Sequence, residues 1–174
     1  MNVENRIWEE FKQANANAIC IRLYTDKQRR YNRWYNAFIA IVATAGTIFT
    51  KAKPEWAPFT IWAIAFVTIV KTVCPNLLHP EQDLCALDGI MDFYNIYRND
   101  MEVLFYKIHN DIISEEKALD KFNKLHNEES PKLTQMNKLI RHIPKRMQKK
   151  IDNETNTYID EVYYNKYETK ESKK

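Results

Sequence analysis

Two apolar runs stand five residues apart in a chain whose other segments are rich in Lys, Glu, Asp and Asn. They are WYNAFIAIVATAGTIFT over 34–50 and WAPFTIWAIAFVTIVKTV over 56–73. As helices they would rise roughly 25 Å and roughly 27 Å, the short end of a membrane span. A helix that is apolar on every side belongs in a large protein core or in lipid, and a 174-residue chain has little else with which to bury two of them. The pattern therefore predicts a transmembrane hairpin with spans at 34–50 and 56–73 and a tight polar loop at 51–55. Trp34, Tyr35, Trp56 and Trp62 fall toward the span ends, where amphipathic rings favour the headgroup level. The chain has only two glycines, Gly46 and Gly89, which argues against turn-rich β folds and against Gly-rich phosphate loops. The expected fold class is an all-α membrane protein.

A hairpin places both flanks on one side. Arg22, Lys27, Arg29, Arg30 and Arg33 precede the first span and Lys71 closes the second, against Lys51 and Lys53 in the loop. The positive-inside bias puts both termini in the cytoplasm, for an integral membrane protein. A cleaved signal peptide fits poorly, because a long acid-bearing segment with Glu4, Glu9, Glu10 and Asp26 precedes the first run. The expected organisation is a cytoplasmic amphipathic basic helix over 1–33, the hairpin over 34–74, a cytoplasmic helical region over 75–167 and a disordered tail over 168–174.

The spans hold no ionisable residue near their centres, but small and hydroxylated side chains recur at helical spacing. Ala40, Thr44 and Thr47 lie on one face of the first run, and Thr60, Thr68 and Lys71 form a looser stripe on the second. Such a face either packs one helix on another or lines a pore built from several copies. The lead-in carries Ile7, Trp8, Phe11, Ala14, Ala18 and Ile21 at helical spacing, and its bases Arg29, Arg30 and Arg33 suit anionic lipid better than nucleic acid.

Beyond the second run, Leu84, Leu87, Met91, Tyr94, Tyr97, Met101, Leu104, Ile108 and Ile112 make a seam near a heptad repeat. The seam can pack within its own chain or on a second subunit. Ser114 followed by Glu115 and Glu116 opens a shorter helix, Pro131 begins another that Pro144 ends, and an amphipathic stretch covers 151–167. Together these segments predict a helical bundle. The run Lys138, Arg141, Lys145, Arg146, Lys149 and Lys150 contains no acid. It can neutralise acidic helices of its own bundle, touch anionic headgroups or receive a phosphate-bearing signal, with Lys145, Arg146, Lys149 and Lys150 as the contact residues.

Catalytic patterns are lacking. His79, His109, His126 and His142 are scattered and read as surface residues; the odd set Cys20, Cys74 and Cys85 makes no C-x-x-C pair. No enzyme, cofactor or metal site is expected.

The layout of a basic aromatic lead-in, RLYTDKQRRYNRWYNAF, a tight two-span hairpin, a long helix and a small helical region resembles the SLATT class of bacterial two-transmembrane effectors. The resemblance covers roughly Trp8 to Ile143. It implies an integral protein of the bacterial inner membrane, an effector of an anti-phage or nucleotide-signalling defence system that oligomerises and permeabilises that membrane when an upstream sensor protein or nucleotide second messenger releases it. The expected partners are the bilayer and further copies of the chain, with no nucleic acid. The alternative is a non-conducting, membrane-anchored helical interaction protein.

Overall fold

The computed structural model describes residues 2–52, 55, 58, 59, 61–63, 65, 66, 69 and 79–164, and these contain helices and turns without strands. Helix α1 runs from Val3 to Ala52, 50 residues with no proline and no glycine before Gly46. Asn2 Oδ1 accepts the Glu4 amide at 3.2 Å, and Glu4 itself complements the positive end of the helix. The expected lead-in and first span are thus one continuous helix, and Lys51 and Ala52 belong to it rather than to a loop.

Helix α2, Glu81–His109, starts where the Pro80 carbonyl accepts the amides of Asp83 and Leu84 at 3.1 and 3.3 Å. It ends at Asp111, whose φ of 53° is left-handed. There the Ile112 amide reaches back to the Lys107 carbonyl at 2.9 Å and the Asp111 amide to Ile108 at 3.1 Å, the double closure of a Schellman cap. Helix α3, Glu115–Leu139, follows Ser114, which is extended at the cap position and makes no side-chain capping bond. Helix α4, Lys145–Ile159, follows Pro144 and continues into a π-helical turn, Asp160–Tyr164.

Pro131 lies inside α3 and does not start a new helix. Proline removes one backbone donor, yet the amphipathic face on both sides of it, with Ala118, Phe122 and Met136 buried, keeps the helix on one core. The expected last stretch, 151–167, is helical to Tyr164, and 165–174, including the expected tail, lies outside the described residues.

Among the described residues no helix is long and apolar enough to cross a membrane. That finding overturns the expected all-α membrane protein with its two-helix hairpin, and with it the inner-membrane location, the cytoplasmic assignment of the termini and the pore-forming role. The physical reason lies in the composition of the first run. A span needs about 20 predominantly apolar residues, whereas 34–50 dilutes its Ile, Val and Phe with Asn36, Gly46, alanines and threonines, and basic turns precede it in the same helix. Most of the second run, with positions 56, 57, 60, 64, 67, 68 and 70–73, lies outside the described residues.

The chain divides into two compact units: one takes in α1 through Tyr24 together with the chain from Ala86 onward, the other Thr25 to Cys85. In the first unit, Ile7, Phe11 and Ile21 of α1, Leu87, Tyr94 and Met101 of α2, and Phe122 of α3 are all at most 1 % exposed. Burying a large apolar side chain contributes about 1.5–3 kcal/mol, so these positions dominate the unit's stability. The seam of α2 is therefore spent inside its own chain: Leu84, Leu87, Tyr94, Tyr97, Met101, Leu104 and Ile108 are buried, and only Ile112 at its end is well exposed. Trp8 packs on Phe105 and Tyr163, each with ring centroids 4.9 Å away. Arg22 of α1 pairs with Glu154 of α4. In the second unit Thr25 and Gln28 are buried, Asn32 Nδ2 donates to the His79 carbonyl at 3.0 Å, and Arg29 meets Glu81 at 3.5 Å. His79, expected at the surface, is 8 % exposed and lies 3.5 Å from Asp83.

Candidate functional site

The first unit carries a polar cluster that runs from its apolar core toward its surface: Glu129 is buried, while the side chains of Glu10 and His126 are 20 % and 43 % exposed. Glu10 comes from α1, Tyr94 and Tyr97 from α2, and His126 and Glu129 from α3. Helical periodicity places each pair: Tyr94 and Tyr97, like His126 and Glu129, are three residues apart and so share a face. Tyr94 donates to Glu129 Oε1 at 2.6 Å and Tyr97 donates to Glu10 Oε1 at 3.0 Å. His126 Nδ1 lies 3.6 Å from Glu10 Oε1, beyond hydrogen-bond reach, and this buried nitrogen has no hydrogen-bond partner. Its ring is held against Phe122 in a parallel stack with centroids 5.6 Å apart, and Arg6 covers the other ring of that stack at 4.7 Å.

Glu129 is 3 % exposed. Burial pushes its carboxyl above the ordinary carboxylate range; the Tyr94 hydrogen bond opposes the shift, the Glu10 charge adds to it, and His126 opposes it. Burial likewise pushes the phenols of Tyr94 and Tyr97 up, and the carboxylates they touch reinforce the shift, so both hydroxyls remain donors. Asn17, 5 % exposed, receives the Gln13 amide at 3.0 Å on its carbonyl oxygen and meets the Tyr94 hydroxyl with its side chain. One ligand atom each from Glu10, His126 and Glu129 lies within 4.8 Å of the other two.

The residues expected from sequence to form sites are placed elsewhere. Ala40 and Thr44 are exposed on α1, where Thr44 Oγ1 donates back to the Ala40 carbonyl at 2.8 Å, and Thr47 continues the helix. Thr60, Thr68 and Lys71 lie outside the described residues. Arg29 is engaged with Glu81, whereas Arg30 and Arg33 are exposed and border a cavity of about 470 Å³ with Asp26, Trp34 and Ala37. Lys145, Arg146, Lys149 and Lys150 are exposed on the opening turns of α4, and Lys150 reaches Glu154 at 3.7 Å.

The Glu10, His126 and Glu129 cluster was invisible to motif reasoning because its members are 116 and 3 positions apart and match no sequence pattern. One signal was present: Tyr94 and Tyr97 put hydroxyls at seam positions otherwise occupied by Leu, Met and Ile, and a buried hydroxyl requires a polar partner.

The outer surfaces carry a second feature. On α1 of the second unit, Tyr31, Trp34, Phe38 and Ile41 are 47, 72, 54 and 66 % exposed. On α2 of the first unit, Ile96, Val103 and Tyr106 are also exposed. No protein-family model matches the chain, and neither a curated protein nor a solved structure matches it.

Proposed function

We propose that this chain is a non-catalytic helical effector that acts by assembling with copies of itself through the apolar stripe of α1. The observation that carries the proposal is the exposure of Tyr31, Trp34, Phe38 and Ile41. Their spacing, i, i+3, i+7 and i+10, is that of the seam through which helices pair in coiled coils. Contiguous apolar surface of this kind marks an interaction site, and aromatic side chains are the usual anchors of such contacts. Apart from the overturned membrane hairpin, the sequence resemblance to the SLATT class supports an effector whose assembly an upstream sensor or nucleotide signal controls.

The test is sedimentation velocity over a wide concentration range, with wild type beside the Trp34→Glu, Phe38→Glu double variant. Wild type is expected to populate oligomers and the variant to remain monomeric with unchanged helix content; growth arrest on induced expression should disappear with assembly. A wild type that stays monomeric throughout, with its helices intact, refutes the proposal.

A second reading is a docking module for a different protein. The outer stripe of α2 supports it, because Val103 borders a cavity of about 360 Å³ lined by Asp100, Lys107, Lys121, Lys124 and Glu128, a charged rim around an apolar centre. Val103→Glu that abolishes activity while leaving self-association intact would favour this reading.

A further inference from the structure

We propose that Glu10, His126 and Glu129 form a binding site for a first-row divalent transition-metal ion that ties α1 to α3. The geometry is close to what such an ion requires. Two ligands on one ion, each about 2.1 Å from it, can be no more than about 4.2 Å apart. The three ligand atoms here lie within 4.8 Å of one another and would stand about 3.4 Å apart around a tetrahedral ion, so side-chain adjustments of up to about 1.5 Å close the site.

Three observations point to a cation rather than to a merely hydrogen-bonded cluster. First, the buried Glu129, 3 % exposed, faces the Glu10 carboxylate, whose side chain is 20 % exposed, and among the described residues neither pairs with Lys or Arg. An uncompensated buried charge costs several kcal/mol, and a divalent ion would neutralise both carboxylates. Second, His126 Nδ1 is buried without a hydrogen-bond partner and faces Glu10 across 3.6 Å, a gap too long for a hydrogen bond and suited to a shared ion. Third, each carboxylate already has an orienting donor: Tyr94 holds Glu129 and Tyr97 holds Glu10, as outer groups fix metal-ligating side chains.

The donor set selects the ion. One imidazole with two carboxylates suits Zn²⁺, Fe²⁺ or Mn²⁺; the imidazole disfavours Ca²⁺ and Mg²⁺, and the absence of thiolate from the set disfavours Cu⁺. With ligands from helices more than a hundred positions apart in sequence, the ion would act as a clip on the bundle.

The full chain, stripped with chelator and desalted, would be titrated with Co²⁺ and followed by its visible absorption, with Zn²⁺ as competitor. One ion per chain should bind, Zn²⁺ should displace it, and metal should raise the thermal midpoint. His126→Gln and Glu10→Gln should each weaken binding by about tenfold or more. The remote variants His142→Gln and His109→Gln should bind as wild type does. Far-UV circular dichroism of each metal-free variant verifies that the helices are retained. Absence of saturable binding at millimolar metal overturns the proposal, as does binding that survives both cluster substitutions or is lost equally in His109→Gln.

Discussion

Replacing Tyr94 by Phe removes one oxygen from the centre of the bundle and should cost more than any change of shape could explain. The Tyr94 ring is fully buried and a Phe ring fits the same space, so apolar burial is nearly conserved. What is lost is the hydrogen bond to Glu129 Oε1 at 2.6 Å, leaving a buried carboxylate without its donor. A hydrogen bond to a charged group is worth about 1.5–3 kcal/mol, and that range is the expected loss in metal-free protein at neutral pH. Glu129→Gln behaves differently: it deletes a buried charge that faces the Glu10 carboxylate, and its amide oxygen still accepts from Tyr94. It should be neutral or stabilising. In the Glu129→Gln background, Tyr94→Phe breaks only a neutral hydrogen bond, worth about 0.5–1.5 kcal/mol, so the double-mutant cycle should return a coupling of about 1 kcal/mol. The assay is urea unfolding in chelator, followed by the fluorescence of Trp8, with Trp34, Trp56 and Trp62 changed to Phe. Trp8 reports on the correct unit because it packs on Phe105 and Tyr163 there. Equal losses for Tyr94→Phe in both backgrounds, or a loss below about 0.5 kcal/mol in either, would refute the account of the cluster as an electrostatically stressed core.

Burial pushes the Cys20 thiol up to about 11, and Cys85 is exposed. At pH 8 the Cys20 thiolate fraction is then about one in a thousand, so a Cys74→Ser, Cys85→Ser variant should resist alkylation at pH 8 and react faster as pH rises; rapid labelling at pH 8 would contradict the packing around Cys20. Pro131 withholds a donor from the interior of α3, where proline is about 3 kcal/mol poorer than alanine, so Pro131→Ala should raise the urea midpoint, and a fall would mean that proline has a packing role. Helix α4 opens with Lys145 and Arg146 and no acid in its first turn. Lys145→Glu should therefore stabilise it by about 0.3–1 kcal/mol at low salt, an increment that 1 M salt should erase; no gain would show that the basic turn is already compensated.

Helix was legible wherever apolar side chains recur at three- and four-residue spacing, as at Ile7, Phe11, Ala14, Ala18 and Ile21, because that period follows from local geometry alone. The same argument located Leu84 to Ile108 as a seam but could not say what covers it, since a periodic face specifies burial and not the identity of the neighbour. It also misjudged Pro131, whose local cost is outweighed by the shared core of Ala118, Phe122 and Met136. The two apolar runs suggested spans by length, while the helix that contains the first run proved too dilute in large apolar side chains.

By itself the sequence determined that the described segments are helical, that one helix opens after Ser114, and that Tyr94 and Tyr97 face inward, because each depends on interactions within a few turns of one helix. Only the tertiary structure decided that Glu10 meets His126 and Glu129 beneath those two phenols, and that the seam of α2 closes on its own chain. Contacts between helices distant in sequence depend on how whole faces dock, and no local spacing encodes which face meets which.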